Sequence, residues 1–195
     1  MRTFIAIELP KEIRNALTLL QEQLRKSGSD VKWVNPENIH LTLKFLGERD
    51  EKKIKKIIEI LDEIVKDKTS FMANISTIGA FPKINFPRVL WAGIDKGDNE
   101  IKEIFKELEE KIAKVGIPKE NRPFSSHITL GRTRSTLNRQ ELVRELNNRQ
   151  ENIPSEINLE FHVTKITLFK STLTPKGSIY EILKEASLKT TPPTT

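Results

Sequence analysis

Apolar residues recur at intervals of three and four positions in four stretches of the chain, and this spacing predicts four amphipathic helices. The apolar stripes cover residues 13–24, 54–65, 101–112 and 142–146. Asp98 precedes the third stretch and is expected to be its N-cap, because a carboxylate at that position can accept a backbone N–H. Asn138 followed by Glu141 resembles a capping box at the start of the fourth stretch. Each helix is expected to bury its apolar stripe against a sheet.

Short apolar runs lie between and after these helices and predict β-strands. The predicted strands are at 4–9, 40–43, about 71–79, 90–95, 127–130, about 157–170 and 178–183. Together with the helices they give the order strand–helix–strand–helix–strand twice, followed by one further strand.

The two halves of the chain resemble each other. Phe4–Leu9 is similar to Leu90–Asp95, which lies 86 positions later. His40–Leu43 is similar to His127–Leu130, which lies 87 positions later. The repeat predicts a single domain over 1–185, with internal repeats at about 1–87 and 88–185 and a flexible C-terminal tail at 186–195.

The alternation of strands and helices in each repeat favours an α+β fold with two lobes related by a pseudo-two-fold axis. We expect each lobe to contain an antiparallel sheet with its helices on the outer face, which leaves the other faces free to line a central groove. The strands that begin at His40 and His127 are expected to carry their polar side chains into this groove.

Composition narrows the possible functions. The chain has 195 residues, no cysteine and a formal net charge of +6, so disulfides, thiolate metal sites and cysteine nucleophiles are excluded. It has no apolar run long enough to span a bilayer and no signal-peptide pattern at its start. We therefore expect a cytoplasmic protein with no membrane partner. The small positive excess is compatible with an anionic partner, and the high content of Lys, Glu and Ile resembles that of thermophile proteins.

The candidate chemistry lies in the repeated His-x-Thr strands. Residues i and i+2 of a strand point to the same side, so His40 shares a face with Thr42, and His127 with Thr129. If a two-fold axis relates the halves, two imidazoles and two hydroxyls surround a space of about the size of a phosphate. One neutral imidazole and one imidazolium can exchange the two protons that phosphodiester cleavage requires. The threonine hydroxyls can bind the non-bridging oxygens.

Three further residues are candidates for substrate binding. Arg132, just beyond the second His-x-Thr strand, offers a guanidinium suited to phosphate. Lys44 is expected on the same strand face as His40 and Thr42, either as a solvated side chain or in reach of a phosphate. Tyr180 offers a ring on which a base can stack.

Spacing alone does not make a His-x-Thr pair functional. His162 also has a threonine two positions later, but it lies in ordinary strand alternation and has no repeat partner, since Asn74 is near the equivalent position. The sequence contains no Walker-type phosphate loop and no clustered metal ligands. We therefore expect no cofactor and no metal site.

The doubled motif resembles that of the 2H phosphoesterase superfamily, and within it the RNA 2′,3′-cyclic phosphodiesterases, also called 2′-5′ RNA ligases. The resemblance rests on the strings RTFIAI at 2–7, HLTLKFLG at 40–47 and HITLGR at 127–132. It implies a bilobal fold with both motifs in a central cleft, and hydrolysis of RNA 2′,3′-cyclic phosphate to a 2′-phosphate without metal or ATP. The implied partners are RNA ends, tRNA fragments and nucleotide 2′,3′-cyclic phosphates.

The resemblance also implies a division of labour in which His40 is the proton donor and His127 the proton acceptor. Several relatives join tRNA halves through a 2′-5′ linkage in the reverse reaction, so ligation is a further implied activity. A monomer is expected.

Two other functions stay open at the level of sequence. The first is a non-catalytic protein that binds RNA ends, for which salt-sensitive binding without turnover is the signature. The second is the same chemistry on another nucleotide, such as ADP-ribose cyclic phosphate or 2′-5′ oligoadenylate.

Overall fold

The computed structural model describes residues 1–151 and 159–190, and within these ranges the chain forms nine strands and four α-helices. The strands are β1 (Arg2–Glu8), β2 (Val31–Trp33), β3 (His40–Glu48), β4 (Phe71–Lys83), β5 (Phe86–Ile94), β6 (His127–Thr133), β7 (Glu160–Val163), β8 (Lys165–Thr174) and β9 (Gly177–Ser187). The helices are α1 (Lys11–Arg25), α2 (Glu51–Val65), α3 (Asp98–Ala113) and α4 (Arg139–Glu151), with a short 3₁₀-helix at Pro36–Asn38. All four predicted helices are present. The strand predicted at about 157–170 is divided into β7 and β8, and its first two residues lie outside the described ranges.

The strands form one sheet in the order β7-β4-β5-β6-β3-β1-β8-β9, with β2 paired to β6. This order is symmetric about the junction of β6 with β3. On one side lie β6, β5, β4 and β7, and on the other β3, β1, β8 and β9, and neighbouring strands are antiparallel. These two groups are the sheets of two lobes, so the predicted α+β fold is confirmed.

The two lobes exchange strands. β4 follows the first His-x-Thr strand in the sequence, yet it pairs with β5 in the lobe of the second. Conversely, β8 comes from the second half of the chain and pairs with β1 in the lobe of the first. Each lobe is therefore completed by a strand from the other half of the sequence.

Strand pairing also corrects the alignment of the first strands of the two repeats. Ile7 pairs with Leu41, and Ala92 pairs with Ile128, so Ile7 and Ala92 are equivalent and lie 85 positions apart. Sequence similarity had matched Ile7 with Gly93. A shift of one residue exchanges the two faces of a strand. The residues of β1 and β5 that lie on the same face of the sheet are therefore identified by strand pairing and not by sequence similarity.

The helices cover one face of the sheet, and β1 shows how the two faces differ. Ile5 and Ile7 join the main core beneath the helices, whereas Phe4, Ala6 and Phe169 form a second, smaller cluster on the opposite face. The buried stripe of α2 agrees with the predicted spacing and consists of Ile54, Ile57, Leu61, Ile64 and Val65. In the part of the chain that the structure describes, no helix combines the length and apolar character needed to cross a bilayer.

One predicted helix cap is wrong. The N-cap of α3 is Gly97 in the left-handed conformation, with φ 85°. Asp98 is the first residue of the helix and pairs with Lys102 at 2.6 Å. Asn138 has φ 49°, and its side-chain amide donates to the carbonyl of Gly28 at 3.1 Å. Asn138 nevertheless directly precedes α4, as predicted, and its carbonyl accepts the backbone N–H of Leu142 at 3.1 Å. Only the prediction for Asp98 is therefore wrong.

The first residues of the predicted flexible tail, 186–189, are packed against the rest of the chain. Ala186 and Leu188 are buried, and β9 extends to Ser187. The backbone N–H of Leu188 donates to the carbonyl of Thr164 at 2.8 Å, and Lys189 pairs with the chain before β4. Residues 191–195 of the predicted tail lie outside the described ranges.

A buried ion pair ties β3 to the second half of the chain. Lys44 has an exposed fraction of 2%, and its ammonium pairs with Glu109 of α3 and donates to the carbonyl of Pro118 at 3.1 Å. Glu109 also accepts the backbone N–H of Glu120 at 2.6 Å. The pair therefore fixes the loop that leads from α3 towards β6.

Replacing Lys44 by alanine is expected to lower the free energy of unfolding by about 3–5 kcal/mol, because Glu109 would remain buried without its counter-charge. Urea unfolding followed by circular dichroism measures this change. The variant Lys44→Met/Glu109→Leu is expected to lose less than Lys44→Ala, since both charges are then removed. As a control, Lys184→Ala breaks an exposed pair with Asp62 and is expected to cost about 0.2–1 kcal/mol. A loss for Lys44→Ala no larger than this control's would contradict the assigned role.

Candidate active site

The two His-x-Thr strands are neighbours in the sheet. β3 pairs with β6 through Leu41 and Ile128, and both side chains are fully buried. In an antiparallel pair centred there, each histidine lies beside the threonine of the other strand, and all four polar side chains are on the face opposite the apolar pair. The histidines are diagonal partners, for which Cα atoms are about 7–8 Å apart. Both imidazoles can therefore reach one small ligand.

Both imidazoles are anchored in the same way. The Nδ1 atom of His40 lies 2.7 Å from the carbonyl oxygen of Asn38, and that of His127 lies 2.8 Å from the carbonyl oxygen of Ser125. A carbonyl oxygen only accepts, so Nδ1 carries the proton in both rings. Nε2 is then the nitrogen that gains and loses a proton.

Burial lowers the pKa of both histidines below its ordinary value. For His40, loss of solvent around the ring is the main cause, and the hydrogen bond to the carbonyl of Asn38 opposes it. For His127, burial is again the main cause and the bond to Ser125 again opposes it, while the positive charge of Arg132 lowers the pKa further. Both rings are therefore held towards the neutral form, and His127 has an additional electrostatic reason.

Aromatic rings surround His40. Phe4 stacks on its imidazole with ring centroids 4.9 Å apart, and Tyr180 meets the imidazole edge-on at 5.5 Å. Phe169 stacks on the other side of Phe4 at 5.2 Å. Tyr180 thus lies next to His40, and burial raises the pKa of its phenol.

A cavity of about 510 Å³ opens beside His40, a volume within the range of small-molecule sites. Besides Tyr180, its wall includes two cationic residues, Arg14 and Lys176, and two carboxylates, Glu8 and Glu37. Positive and negative side chains are therefore balanced around this cavity.

His127 has its own aromatic neighbours. Phe81 meets the imidazole edge-on at 5.1 Å, and Trp91 lies against Phe81 at 5.2 Å. The indole packs directly over Gly79, where an added Cβ would lie 2.3 Å from Trp91 Cζ2. Glycine at position 79 is therefore required for the ring to lie flat on the sheet beside the second histidine.

A β-bulge in β3 decides which side chains follow Thr42 into the site. Ala6 pairs with Thr42 and Ile5 with Lys44, so Leu43 is the extra residue. A bulge shifts the alternation of side chains by one position. Lys44 consequently points into the core beneath the helices.

The prediction that Lys44 shares a face with His40 and Thr42 and reaches a phosphate is therefore wrong. The residue that returns to the site face is Phe45, with an exposed fraction of 59%. β6 contains the equivalent bulge, since Trp91 pairs with Thr129 and Leu90 with Gly131.

Arg132 follows the bulge of β6 as Phe45 follows that of β3. It is exposed, pairs across the sheet with Val89, and lies close enough to His127 to influence its pKa. The structure therefore brings Arg132 to the same face as His127 and Thr129.

The remaining histidine lies elsewhere. His162 is exposed on β7, opposite Met72 of β4, and β4 and β5 separate it from β6. Within residues 1–151 and 159–190, no group of three or more histidine, aspartate or glutamate side chains is arranged to hold a metal ion.

Sequence reasoning missed the aromatic residues that contact the histidines, Phe4 and Phe81, and the exposed ring of Phe45. Alternation within β1 places Phe4 on one face with Ala6, but nothing in the sequence indicates which face meets His40. Phe81 lies on β4, which reaches His127 only because the lobes exchange strands. Phe45 requires knowledge of the bulge.

A two-lobed α+β fold with paired histidines at the lobe junction is typical of two-histidine phosphoesterases. The sequence model of the LigT-like phosphoesterase family matches residues 7–91 and again 94–180. The chain therefore belongs to the LigT-like phosphoesterase family, as the resemblance of its motifs implied.

Relatives with established names agree with this assignment. The RNA 2′,3′-cyclic phosphodiesterase of Methanocaldococcus jannaschii is 40% identical over 185 residues, which cover 95% of this chain and 99% of the relative. The protein of the same name from Thermotoga maritima is 35% identical over 192 residues, covering 97% and 96%.

Solved structures show the same fold. The crystal structure of a Thermus thermophilus protein is similar with a TM-score of 0.79 and 29% identity, over 97% of this chain and 99% of that protein. E. coli LigT in complex with 3′-AMP is similar with a TM-score of 0.76 and 28% identity, over 96% and 97%.

The lowered histidine pKa values predict how stability depends on pH. The folded chain keeps the imidazoles of His40 and His127 neutral at pH values where the unfolded chain already binds protons. Their contribution to stability is therefore complete above about pH 6.5 and is lost as the pH falls below it. When the pH is lowered from about 7.5 to 5, the Tm of the variant His40→Asn/His127→Asn is expected to fall less than the Tm of the unmodified protein.

Thermal unfolding followed by circular dichroism at a series of pH values measures this difference. His162→Asn, which removes an exposed histidine, is the matched control and should follow the unmodified protein. Identical pH dependence in the double variant and the control would contradict the assignment of neutral, buried imidazoles.

Proposed function

We propose that the chain hydrolyses the 2′,3′-cyclic phosphate at the end of an RNA strand to a 2′-phosphomonoester, using two histidines as acid and base. The observation that carries the proposal is the matched geometry of His40 and His127. Each is anchored through Nδ1 to a backbone carbonyl, and they are diagonal partners at the β3–β6 junction. The names of the relatives that are 40% and 35% identical support the choice of substrate.

In this mechanism His127 is the base. Its neutral Nε2 removes a proton from a water molecule as the water oxygen forms a bond to phosphorus. The charge of Arg132 favours the neutral form that a base requires, because it lowers the pKa of His127. The assignment of His127, rather than His40, as the proton acceptor is the one that the family resemblance implies, and the charge of Arg132 is compatible with it.

His40 is the acid. As an imidazolium it donates the Nε2 proton to the 3′ oxygen while the bond between phosphorus and that oxygen breaks, so the phosphate stays on the 2′ oxygen and a 3′ hydroxyl is restored. The Nε2 atom lies 2.9 Å from Thr42 Oγ1. In the neutral ring, Nε2 accepts the hydroxyl proton of Thr42. Once protonated, Nε2 faces the 3′ oxygen instead, and the hydroxyl is free to donate to a non-bridging oxygen. Proton exchange with solvent returns both histidines to their starting forms.

The negative charge that develops on phosphate is held by Thr42, Thr129 and Arg132. Hydroxyl donors aimed at non-bridging oxygens stabilise the transition state more than the ground state. The guanidinium adds a fixed positive charge with several donors. Since the imidazoles perform both proton transfers, the reaction as written requires no metal ion, ATP or other cofactor.

Alanine variants test the two roles. His40→Ala and His127→Ala are each expected to lower kcat for a nucleoside 2′,3′-cyclic phosphate by at least about 10²-fold, because each removes one proton transfer. Phosphorus NMR follows the reaction and distinguishes a 2′- from a 3′-phosphate product. His162→Ala is the control and should retain full activity, in the presence of EDTA as well.

Each result of this experiment decides something. Full activity in either active-site variant, or a strict requirement for metal, would overturn the two-histidine mechanism. Salt-sensitive binding of RNA ends without turnover would favour the non-catalytic alternative. Preferred turnover of ADP-ribose cyclic phosphate or 2′-5′ oligoadenylate would keep the mechanism and change the substrate. Joining of tRNA halves through a 2′-5′ linkage would add the ligase activity of the reverse reaction.

The pH dependence of the reaction follows from the same pKa shifts. A bell-shaped profile of kcat/KM is expected, with its maximum below about pH 6.5, because burial lowers the pKa of both His40 and His127. In Arg132→Gln the nearby positive charge is removed, so the pKa of His127 is expected to rise. The limb of the profile that reports deprotonation of His127 should then move to higher pH. Stopped assays across the pH range measure both effects, and a maximum well above pH 7, or an unmoved limb, would contradict the assignment.

The cytoplasmic location and the monomeric state stay predictions from the sequence. Sedimentation of the purified chain tests the second.

A further inference from the structure

The pseudo-two-fold symmetry is broken further along the two strands that carry the histidines. Phe45 and Arg132 occupy equivalent positions after equivalent bulges, one on each strand of the junction. One position thus presents a guanidinium and the other an aromatic ring with 59% of its surface exposed. An exposed ring in a strand loses the free energy of burial, and here the ring neighbours Phe4, which stacks on the imidazole of His40.

Phe45 borders a cleft that is separate from the cavity beside His40. This Phe45 cleft has a volume of about 480 Å³ and is formed by the end of β3 and residues 117–122. Three cationic residues, Arg49, Lys119 and Arg122, line it, against one carboxylate, Glu120. Its charge is therefore positive, whereas the charges around the cavity beside His40 are balanced.

The wall of the Phe45 cleft is held in place by the buried ion pair. Lys44 donates to the carbonyl of Pro118 at 3.1 Å, and Glu109 accepts the backbone N–H of Glu120 at 2.6 Å. These contacts fix both sides of Lys119. The loop is thus anchored by the protein's own contacts, as is expected for a preorganised binding site.

Phe4 links Phe45 to the reaction centre. Its ring neighbours the rings of both His40 and Phe45, with centroid distances of 4.9 and 6.2 Å. A substrate whose phosphate lies between the histidines can therefore extend along this row of rings into the cleft.

We propose that the Phe45 cleft binds the nucleotide on the 5′ side of the cyclic phosphate end, with its base stacked on Phe45 and its phosphodiester paired with Arg49 or Arg122. The inference rests on the proposed function. A 2′,3′-cyclic phosphate terminates the strand, so a bound RNA can extend only in the 5′ direction. An aromatic platform beside a positively charged groove is the combination that binds single-stranded RNA with little sequence preference.

The test compares two substrates, cytidine 2′,3′-cyclic phosphate and pentacytidylate ending in a 2′,3′-cyclic phosphate. The measured quantity is the ratio of kcat/KM for the oligonucleotide to that for the mononucleotide. Phe45→Ala and Arg49→Ala/Arg122→Ala are each expected to lower this ratio by about tenfold, because a stacked base or a phosphate contact is lost only for the longer substrate. The arginine variant is also expected to show a weaker salt dependence for the oligonucleotide.

Lys52→Ala/Lys55→Ala is the matched control, since it removes two exposed positive charges on α2 without touching the Phe45 cleft. Equal losses for both substrates, or a ratio that changes no more than in this control, would overturn the proposal. Circular dichroism establishes that each variant is folded.

Direct binding separates this inference from the proposed function. The affinity of the same variants for fluorescein-labelled pentacytidylate, measured by anisotropy, reports on the cleft even if the unmodified chain hydrolyses neither substrate. In that case the proposed function fails, and a weaker affinity in Phe45→Ala still supports the RNA site. Equal competition by inorganic phosphate or by a polyaspartate peptide would assign the cleft to anions in general and overturn its assignment to RNA.

Discussion

Backbone pairing between β3 and β6 at Leu41 and Ile128 is the contact on which the site depends. Because both side chains are fully buried, a slip of one residue would expose an apolar side chain and turn a histidine towards the core. Hydrophobic burial on one face of the junction therefore fixes the register on the other face. The anchoring of each imidazole to a carbonyl two residues earlier adds orientation to this placement.

Repetition provides two equivalent histidines, and departures from it give the site a direction. Lys44 enters the core of one lobe, whereas the equivalent residue in the other is Gly131. An added Cβ there would lie 2.7 Å from Val31 Cγ1, because β2 packs against β6. One position further on, Phe45 and Arg132 give the two sides of the site an aromatic and a cationic character. A symmetric scaffold can in this way bind a substrate that has two chemically different ends.

Local patterns predicted the helices, most strands, the two lobes and the candidate histidines, since periodicity and a repeated motif are properties of neighbouring residues. They failed where tertiary pairing decides. The bulge at Leu43 depends on the register of β1 with β3, and for this reason the side of Lys44 was predicted wrongly. Phe81 reaches His127 from a strand that belongs to the other repeat. Gly97, rather than Asp98, caps α3 because the chain adopts a left-handed turn there.

The exchange of β4 and β8 between the lobes has a consequence for how the chain can be divided. A half-length chain would carry β1 and β3 but would lack the strand that pairs with the outer side of β1, while its own β4 would have no partner. In two such copies related by a two-fold axis, β4 of each copy could pair with β1 of the other, as in a domain-swapped dimer. The full chain has the architecture of such a dimer with its subunits joined covalently. Covalent joining allows the two halves to differ in sequence, which a homodimer with an isologous interface cannot do.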